Sequence, residues 1–255
     1  MKARARSGML AGMPVVGGPG MGWHLINGGG IALLLGLLGV LLWDASPGDL
    51  ALARWMADAN GFAWRRNTLF IAWTHELPRA IALVLLVWIC AGFARPTGCL
   101  LRLDRRERGV LALAVLITMA LPGTLKQWSL TSCPWDLAPF GGMARYVSHW
   151  QWGAADGGSG HCFPAGHAAA GYAFIGGWFV FRASAPAIAR RWLVLSLLAG
   201  TLLGLAQQWR GAHFMSHTLW TAWLSAAAGF AIHETALRLN RRAAGARPFM
   251  KPGRS

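Results

Sequence analysis

Basic side chains and histidines recur in short segments of the second half of the chain. They are Lys126, Arg210, His167, His213 and His217. Cations can hold the oxygens of a phosphate group, one imidazole can attack phosphorus, and a second imidazole can protonate the leaving oxygen. Gly166, directly before His167, would add a backbone N–H donor for the anion at the start of a predicted helix. These residue types predict phosphoryl transfer without a metal ion.

Long apolar runs separate these segments and must position them. Of the 255 residues, 55% are apolar and 13% are charged, which together with 15 Trp and 11 Phe excludes a disordered chain. A helix needs roughly 17 to 25 residues to cross a bilayer. Six runs approach that length: residues 22–43, 78–93, 109–121, 168–181, 192–209 and 218–237. The predicted fold is therefore all-α, a polytopic membrane protein with a six-helix transmembrane bundle.

The net charge of +15 indicates how the bundle is oriented. If the N-terminus is cytoplasmic, most of the 24 Lys and Arg fall in the tails and in the inner loops, as the positive-inside rule requires. The excess is mostly Arg placed between apolar runs, so it does not indicate a nucleic-acid partner. We expect a basic cytoplasmic tail over residues 1–21, a membrane domain over 22–237 and a second basic cytoplasmic tail over 238–255.

This orientation places most of the polar chemistry on one side of the membrane. The outer loops are residues 44–77, 122–167 and 210–217. They contain six of the eight histidines: His75, His149, His161, His167, His213 and His217. The localisation we predict is a bacterial inner membrane, with both termini in the cytoplasm and the active site at the periplasmic face.

Two other classes of protein compete with phosphoryl transfer. The run from Gly157 to Gly160 contains Ser159 and resembles the setting of an intramembrane serine protease, although it lies in a polar loop. A non-enzymatic metal-binding or transport protein could instead use the outer histidines and cysteines. Cys133 and Cys162, both on the outer side, could form a disulfide or remain two buried free thiols.

The order and spacing of the basic and histidine motifs resemble the three-part signature of the type 2 phosphatidic acid phosphatase family. This family is related to the vanadium haloperoxidases. The residues that carry the resemblance are Lys126 with Cys133 and Pro134 after six intervening positions, then Pro164 to His167, then Gly211 to His213 with His217. The resemblance covers about residues 109–230, and it also implies a six-span fold with an external active site.

The resemblance implies a role for each residue that matches the motifs. Lys126 and the Gly166 amide would bind phosphate, and His167 would be the general acid for the leaving group. His213 would be the nucleophile that forms a phosphohistidine. No cofactor is implied.

Four positions depart from the family pattern. Cys133 and Gln207 stand where the family has arginines. Arg210 follows Gln207 by about one helical turn and could present its own guanidinium in place of the missing one. Ala165 replaces a serine. His217 replaces the aspartate that orients the nucleophile, and a neutral imidazole can also accept that N–H. With Lys126 and Gly166, residues Arg210, Ala165, Gln207 and Cys133 form the predicted substrate site.

The resemblance and the topology together predict an integral membrane lipid phosphatase. It would be a metal-independent phosphoric ester hydrolase acting through a phosphohistidine. Candidate substrates are phosphatidic acid, phosphatidylglycerol phosphate, a polyprenyl pyrophosphate and lipid A. If the phosphohistidine passed its phosphoryl group to an acceptor other than water, the enzyme would be a lipid phosphotransferase.

Overall fold

The chain folds into a bundle of helices with one long loop, residues 127–168, which we call the outer loop after its predicted side of the membrane. The computed structural model describes the backbone of residues 20–245 and the side chains of residues 28–244. Within these residues there are helices and two isolated β-bridges but no β-strand. The prediction of an all-α fold is therefore confirmed. Most of the predicted basic tails, residues 1–19 and 246–255, lie outside the described part.

Nine α-helices follow one another along the chain, several of them extended by 3₁₀ or π turns. They are α1 (Gly20–Asp44), α2 (Gly48–Met56), α3 (Thr68–Ile71), α4 (Leu77–Ala91), α5 (Arg105–Lys126), α6 (Ala169–Tyr172), α7 (Gly176–Phe181), α8 (Pro186–Trp209) and α9 (Met215–Gly245) within the described residues. A π turn, Ala72–Glu76, joins α3 to α4, and a 3₁₀ turn, Ala173–Ile175, joins α6 to α7.

Three of these helical segments are long and apolar enough to cross a membrane: Thr68–Ala91, Arg105–Lys126 and Pro186–Trp209. A fourth exists if Gly28–Asp44 and Gly48–Met56, which meet at 69°, count as one span. The predicted span 168–181 corresponds to the shorter apolar segment Ala169–Phe181. The predicted span 218–237 corresponds to α9, which has serine, threonine and histidine side chains in its first half and several charged side chains in its second half. Each predicted span thus overlaps a helical segment, but only three or four of the described segments are long and apolar enough to cross a membrane.

Local sequence signals explain where the helices begin. Asp104 and Glu107 form a capping box at the start of α5, since each side chain accepts a backbone N–H of the other. Proline occupies the first turn of α8, where its missing N–H costs no hydrogen bond. The last helix continues to Gly245, so the predicted boundary at residue 238 falls inside a helix.

Small residues let the central helices pack closely. Gly171 of α6 lies against the backbone of Gly200 of α8, and Gly200 in turn lies under the ring of Tyr172. An apolar cluster around Leu111, Val115 and Phe181 joins α5 to the neighbouring helices. This packing fixes α6, the helix that follows the histidine motif, relative to α8.

The outer loop between α5 and α6 has its own tethers. The buried carboxylate of Asp156 accepts hydrogen bonds from the Ser132 backbone N–H and hydroxyl and from the Gly158 N–H. An apolar cluster also anchors the loop, because Phe140 packs against Phe62, with ring centroids 5.1 Å apart. The loop is thereby held over the ends of the helices.

Candidate active site

The predicted site residues lie at the ends of separate helices, and these ends meet on one side of the bundle. Lys126 is the last residue of α5, and His167 lies two residues before α6. Arg210 directly follows α8, and His217 lies in the first turn of α9. Asp49 of α2 holds the start of α9, because its carboxylate accepts both the backbone N–H and the hydroxyl of Ser216.

A cavity of about 310 Å³ lies between these helix ends. Lys126, Gly166 and His167 all line it, so residues from two of the three predicted motifs share one cavity. His75 and Arg79 line the same cavity from the segment before and within α4. The lining is therefore strongly basic, which suits an anionic group.

Three imidazoles form a row that runs inward from the cavity. His167 Nδ1 lies 3.2 Å from His213 Nε2, and His213 Nδ1 lies 3.4 Å from His217 Nδ1. Two sets of tautomers satisfy both contacts. In the set that leaves His213 Nε2 as the acceptor, His167 donates to it and the His213 Nδ1–H donates to His217. His217 thus occupies the place where the predicted orienting group should be.

The inner members of this row are enclosed by protein. His213 and His217 are each 2% exposed, whereas His167 is partly exposed at the cavity. In the structure, His167 therefore stands between the cavity and the predicted nucleophilic nitrogen of His213. A phosphate that reaches His213 has to displace the His167 contact.

Burial and neighbouring cations keep the imidazoles of His167 and His213 neutral. Burial, with the charges of His75, Lys126, Arg210 and Arg79, lowers the pKa of His167 to about 3. Burial is also the main reason that the pKa of His213 lies well below its usual value, with His167 and His217 contributing. A neutral imidazole at position 213 keeps the lone pair that a nucleophile needs, and in the structure that lone pair faces His167.

Gln207 and Arg210 bind each other and lie beside the cavity. The Gln207 side chain is fully buried, donates to the Thr74 carbonyl oxygen at 3.1 Å and accepts from Arg210 Nη1 at 2.8 Å. Arg210 Nη2 also donates to the Arg65 carbonyl oxygen at 3.4 Å, and the guanidinium lies 5.7 Å from the Trp135 ring. Gln207 is thus a structural tie, which differs from its predicted contact with substrate.

Two further departing positions, Cys133 and Ala165, do not line the cavity either. Cys133 is bonded to Cys162 in a disulfide, which confirms the first of the two alternatives for this pair. Ala165 is fully buried, its N–H donates to the His217 carbonyl oxygen, and its own carbonyl accepts from Thr221. The predicted contacts of Cys133 and Ala165 with substrate are therefore corrected to structural roles around the histidines.

The geometry weakens the two competing classes of protein. Ser159 lies in an exposed loop, where its hydroxyl donates to Asp136 at 3.1 Å, and not at the start of a helix. Cys133, Cys162 and His213 lie close enough together to share a metal ion. While the disulfide stays formed, however, neither sulfur can serve as a thiolate ligand.

The sequence motifs did not identify His75 and Arg79 as site residues. The sequence indicated only where they lie: His75 precedes the second predicted span, and Arg79 is near its start, on the predicted outer side. The His75 ring lies 4.4 Å from the His167 ring, and His75 Nδ1 lies 2.7 Å from the Glu76 carboxylate. Only the fold brings this segment next to Lys126.

Comparison with protein families gives an independent assignment. The sequence model of the PAP2 superfamily matches residues 109–241, which is just over half of the chain. Comparisons with curated proteins and with solved structures found no match. The matched region contains Lys126, the histidine motif at 164–167 and the segment from Gln207 to His217, in the order that the sequence predicted. The chain belongs to the PAP2 superfamily.

Proposed function

We propose that this protein is an integral membrane lipid phosphatase that works through a phosphohistidine. Membership in the PAP2 superfamily supports a phosphoesterase. The observation that carries the finer proposal is the contact between His167 Nδ1 and His213 Nε2, 3.2 Å long, beside a cavity that Lys126 and Gly166 also line. The proposed acid and the two proposed phosphate ligands line the cavity, and the proposed nucleophile lies directly behind the acid, where a phosphate that displaces the His167–His213 contact can reach it.

The proposed reaction has two steps. Lys126 and the Gly166 N–H hold the phosphate oxygens while His213 Nε2 attacks phosphorus. The bond to the lipid oxygen breaks, and that oxygen takes a proton from His167. Water then attacks the phosphohistidine, neutral His167 accepts its proton, and inorganic phosphate and free His213 result.

The protonation state of His167 changes when substrate binds. In the structure its pKa is low because it is buried among cations. A phosphate with two negative charges offsets those cations and favours the protonated imidazole. The substrate thus brings His167 into the form that a general acid requires.

An apolar groove next to the cavity supports a lipid substrate. The groove measures about 570 Å³, lies between α4 and α8, and shares Pro78, Ala82 and Ala170 with the cavity. Trp73 and Leu195 are among its apolar lining residues. A chain lying in this groove would place its phosphate at Lys126, so an amphiphile with a terminal phosphomonoester or pyrophosphate fits both compartments.

The proposed setting is a bacterial inner membrane, with six helical segments, cytoplasmic termini and the site at the periplasmic face. The bias of Arg toward the predicted inner side supports it, as does the disulfide, which is typical of an oxidising compartment. A cysteine introduced at exposed Ser159, in a Cys90→Ser and Cys99→Ser background, should react with a membrane-impermeant maleimide added to the periplasm. Reaction only after the membrane is opened would reverse the orientation.

Phosphate release from a panel of lipid phosphates tests the activity. The panel comprises phosphatidic acid, phosphatidylglycerol phosphate, a polyprenyl pyrophosphate and lipid A, each with and without a chelator. We expect release from at least one lipid, unchanged by chelator and lost in His213→Ala. His233→Gln, in the inner half of α9, is the matched control and should stay active. Unchanged release by His213→Ala would exclude the phosphohistidine, and a phosphorylated lipid product in place of inorganic phosphate would indicate a phosphotransferase.

A further inference from the structure

The site as predicted from the motifs is short of cations. Cys133 is held in a disulfide, and fully buried Gln207 carries no charge. Arg210 donates to Gln207 and to the Arg65 carbonyl oxygen, and it is not among the residues that line the cavity. Lys126 is the one cation from the motifs that lines the cavity within the described residues. A phosphate dianion bound there needs further positive charge close to its oxygens.

Arg79 is in the right place to supply that charge. It lines the cavity together with Lys126, Gly166 and His167, and its charge is close enough to lower the pKa of His167. It comes from α4, a helix that contains none of the matched motifs. A guanidinium can bind two phosphate oxygens at once, which a lysine ammonium does less specifically.

The segment that carries Arg79 is tied to the third motif. Gln207 donates to the carbonyl oxygen of Thr74, within the π turn Ala72–Glu76 that precedes α4. Single π turns inside helices are frequent at functional sites. His75 follows Thr74, and its ring lies 4.4 Å from His167. The glutamine that replaces the motif arginine therefore holds in position the turn that leads to Arg79.

We propose that Arg79 is the second phosphate-binding cation of this active site and replaces the arginines that positions 133 and 207 lack. Gln207 acts as its positioning residue through Thr74. This inference rests on the proposed function for the substrate, but it concerns a residue outside the family motifs and outside the matched region 109–241.

The test compares Arg79→Ala, Arg79→Lys and the matched control Arg66→Ala, an exposed arginine on the same outer side. Because a charge-assisted contact is lost, kcat/KM for phosphate release from the preferred lipid should fall roughly tenfold to a hundredfold in Arg79→Ala. Arg79→Lys should recover part of the loss, and Arg66→Ala should match the wild type. Circular dichroism and thermal unfolding of each variant establish that it is folded.

A binding measurement separates this inference from the proposed function. Inorganic phosphate, titrated calorimetrically into the detergent-solubilised wild-type protein, should bind, and the affinity should fall roughly tenfold or more in Arg79→Ala. Equal phosphate affinity in Arg79→Ala and Arg66→Ala would overturn the role of Arg79 even if the wild type is an active phosphatase. Loss of binding in Arg79→Ala would support it even if none of the lipids is hydrolysed.

Discussion

The predicted nucleophile, His213, is enclosed by protein and by two other imidazoles. It is 2% exposed, so its charged form is disfavoured, and Nε2 keeps a lone pair that accepts from His167 until a substrate displaces that contact. A carboxylate in place of His217 would favour an imidazolium instead. We expect His217 to stabilise a charged His213 less than a carboxylate would and to leave His213 neutral before the reaction.

This enclosure predicts how stability changes with pH. His149, His167 and His213 have folded-state pKa values below the unfolded value of about 6.5. Below that pH the unfolded chain binds more protons than the folded one, so stability is full above about 6.5 and falls as the solution becomes more acid. Each histidine can contribute up to about 1.4 kcal/mol per pH unit.

The melting temperature of the detergent-solubilised protein should therefore drop between pH 7 and pH 5. His213→Gln should flatten this dependence, whereas His161→Gln, at an exposed position, should leave it as in the wild type. A wild-type melting temperature that does not change over this range would contradict the neutral, buried state of His213.

A second residue-scale prediction concerns Gln207. Restoring the arginine of the family pattern by Gln207→Arg should lower stability and activity, because the new guanidinium would be fully buried beside Arg210. The variant also loses the acceptor for Arg210, at a cost of about 1 to 3 kcal/mol. Thermal unfolding and phosphate release measure the two effects. A stable variant with raised activity would show that Gln207 is a weakened clamp and not a tie.

At the scale of elements, the site depends on helix ends that meet. α4, α6 and α9 begin at the cavity side, and α5 and α8 end there. The alternation of apolar runs and polar loops predicted this arrangement, since consecutive spans must alternate in direction. The sequence did not reveal the π turn Ala72–Glu76, because no residue pattern in it differs from that of an ordinary helix start.

Close packing of α6 on α8 should be needed for activity. A Cβ added at Gly171 would collide with the backbone of Gly200, and backbone cannot yield as a side chain can. Gly171→Ala should cost about 1 to 3 kcal/mol or more and displace His167, which precedes α6. Gly39→Ala is the matched control, because a Cβ there has no described atom within 4 Å and alanine favours a helix. Equal thermal stability and phosphate release in the two variants would contradict this packing argument.

The disulfide should stabilise the outer loop. Its cysteines are 29 residues apart, so the cross-link should contribute about 3 to 4 kcal/mol by restricting the unfolded chain. The double variant Cys133→Ser and Cys162→Ser should lose thermal stability and activity, since Cys162 Sγ lies 3.6 Å from His213 Nδ1. Cys90→Ser, which removes an exposed free thiol, should change neither property. An unaffected double variant would show that the Asp156 hydrogen bonds and the Phe62–Phe140 packing hold the loop without the disulfide.

For the whole molecule, the sequence predicted the all-α class of fold correctly. Apolar length is a local property, so helical segments could be located, but three or four of those described, and not six, are long and apolar enough to cross a membrane. The exact roles of Cys133, Ala165 and Gln207 could not be predicted, because a residue at a motif position can face either the substrate or its neighbours. His75 and Arg79 lie outside every motif, and only the three-dimensional packing of α4 against α5 reveals them.

The charge of +15 also has a different meaning at this scale. In the proposed topology, most of the basic residues lie on the inner side, where they would orient the protein in the membrane. The charge that we propose takes part in chemistry is the small set at the cavity, Lys126 and Arg79.

Trapping the covalent intermediate tests the central claim most directly. The wild-type protein is mixed with a ³²P-labelled lipid phosphate that it hydrolyses, quenched in base during turnover, and digested for mass spectrometry. We predict an acid-labile, base-stable phosphoryl group on His213 that is absent from His213→Ala. Rapid phosphate release with no label on His213, or with the label on another residue, would contradict the account.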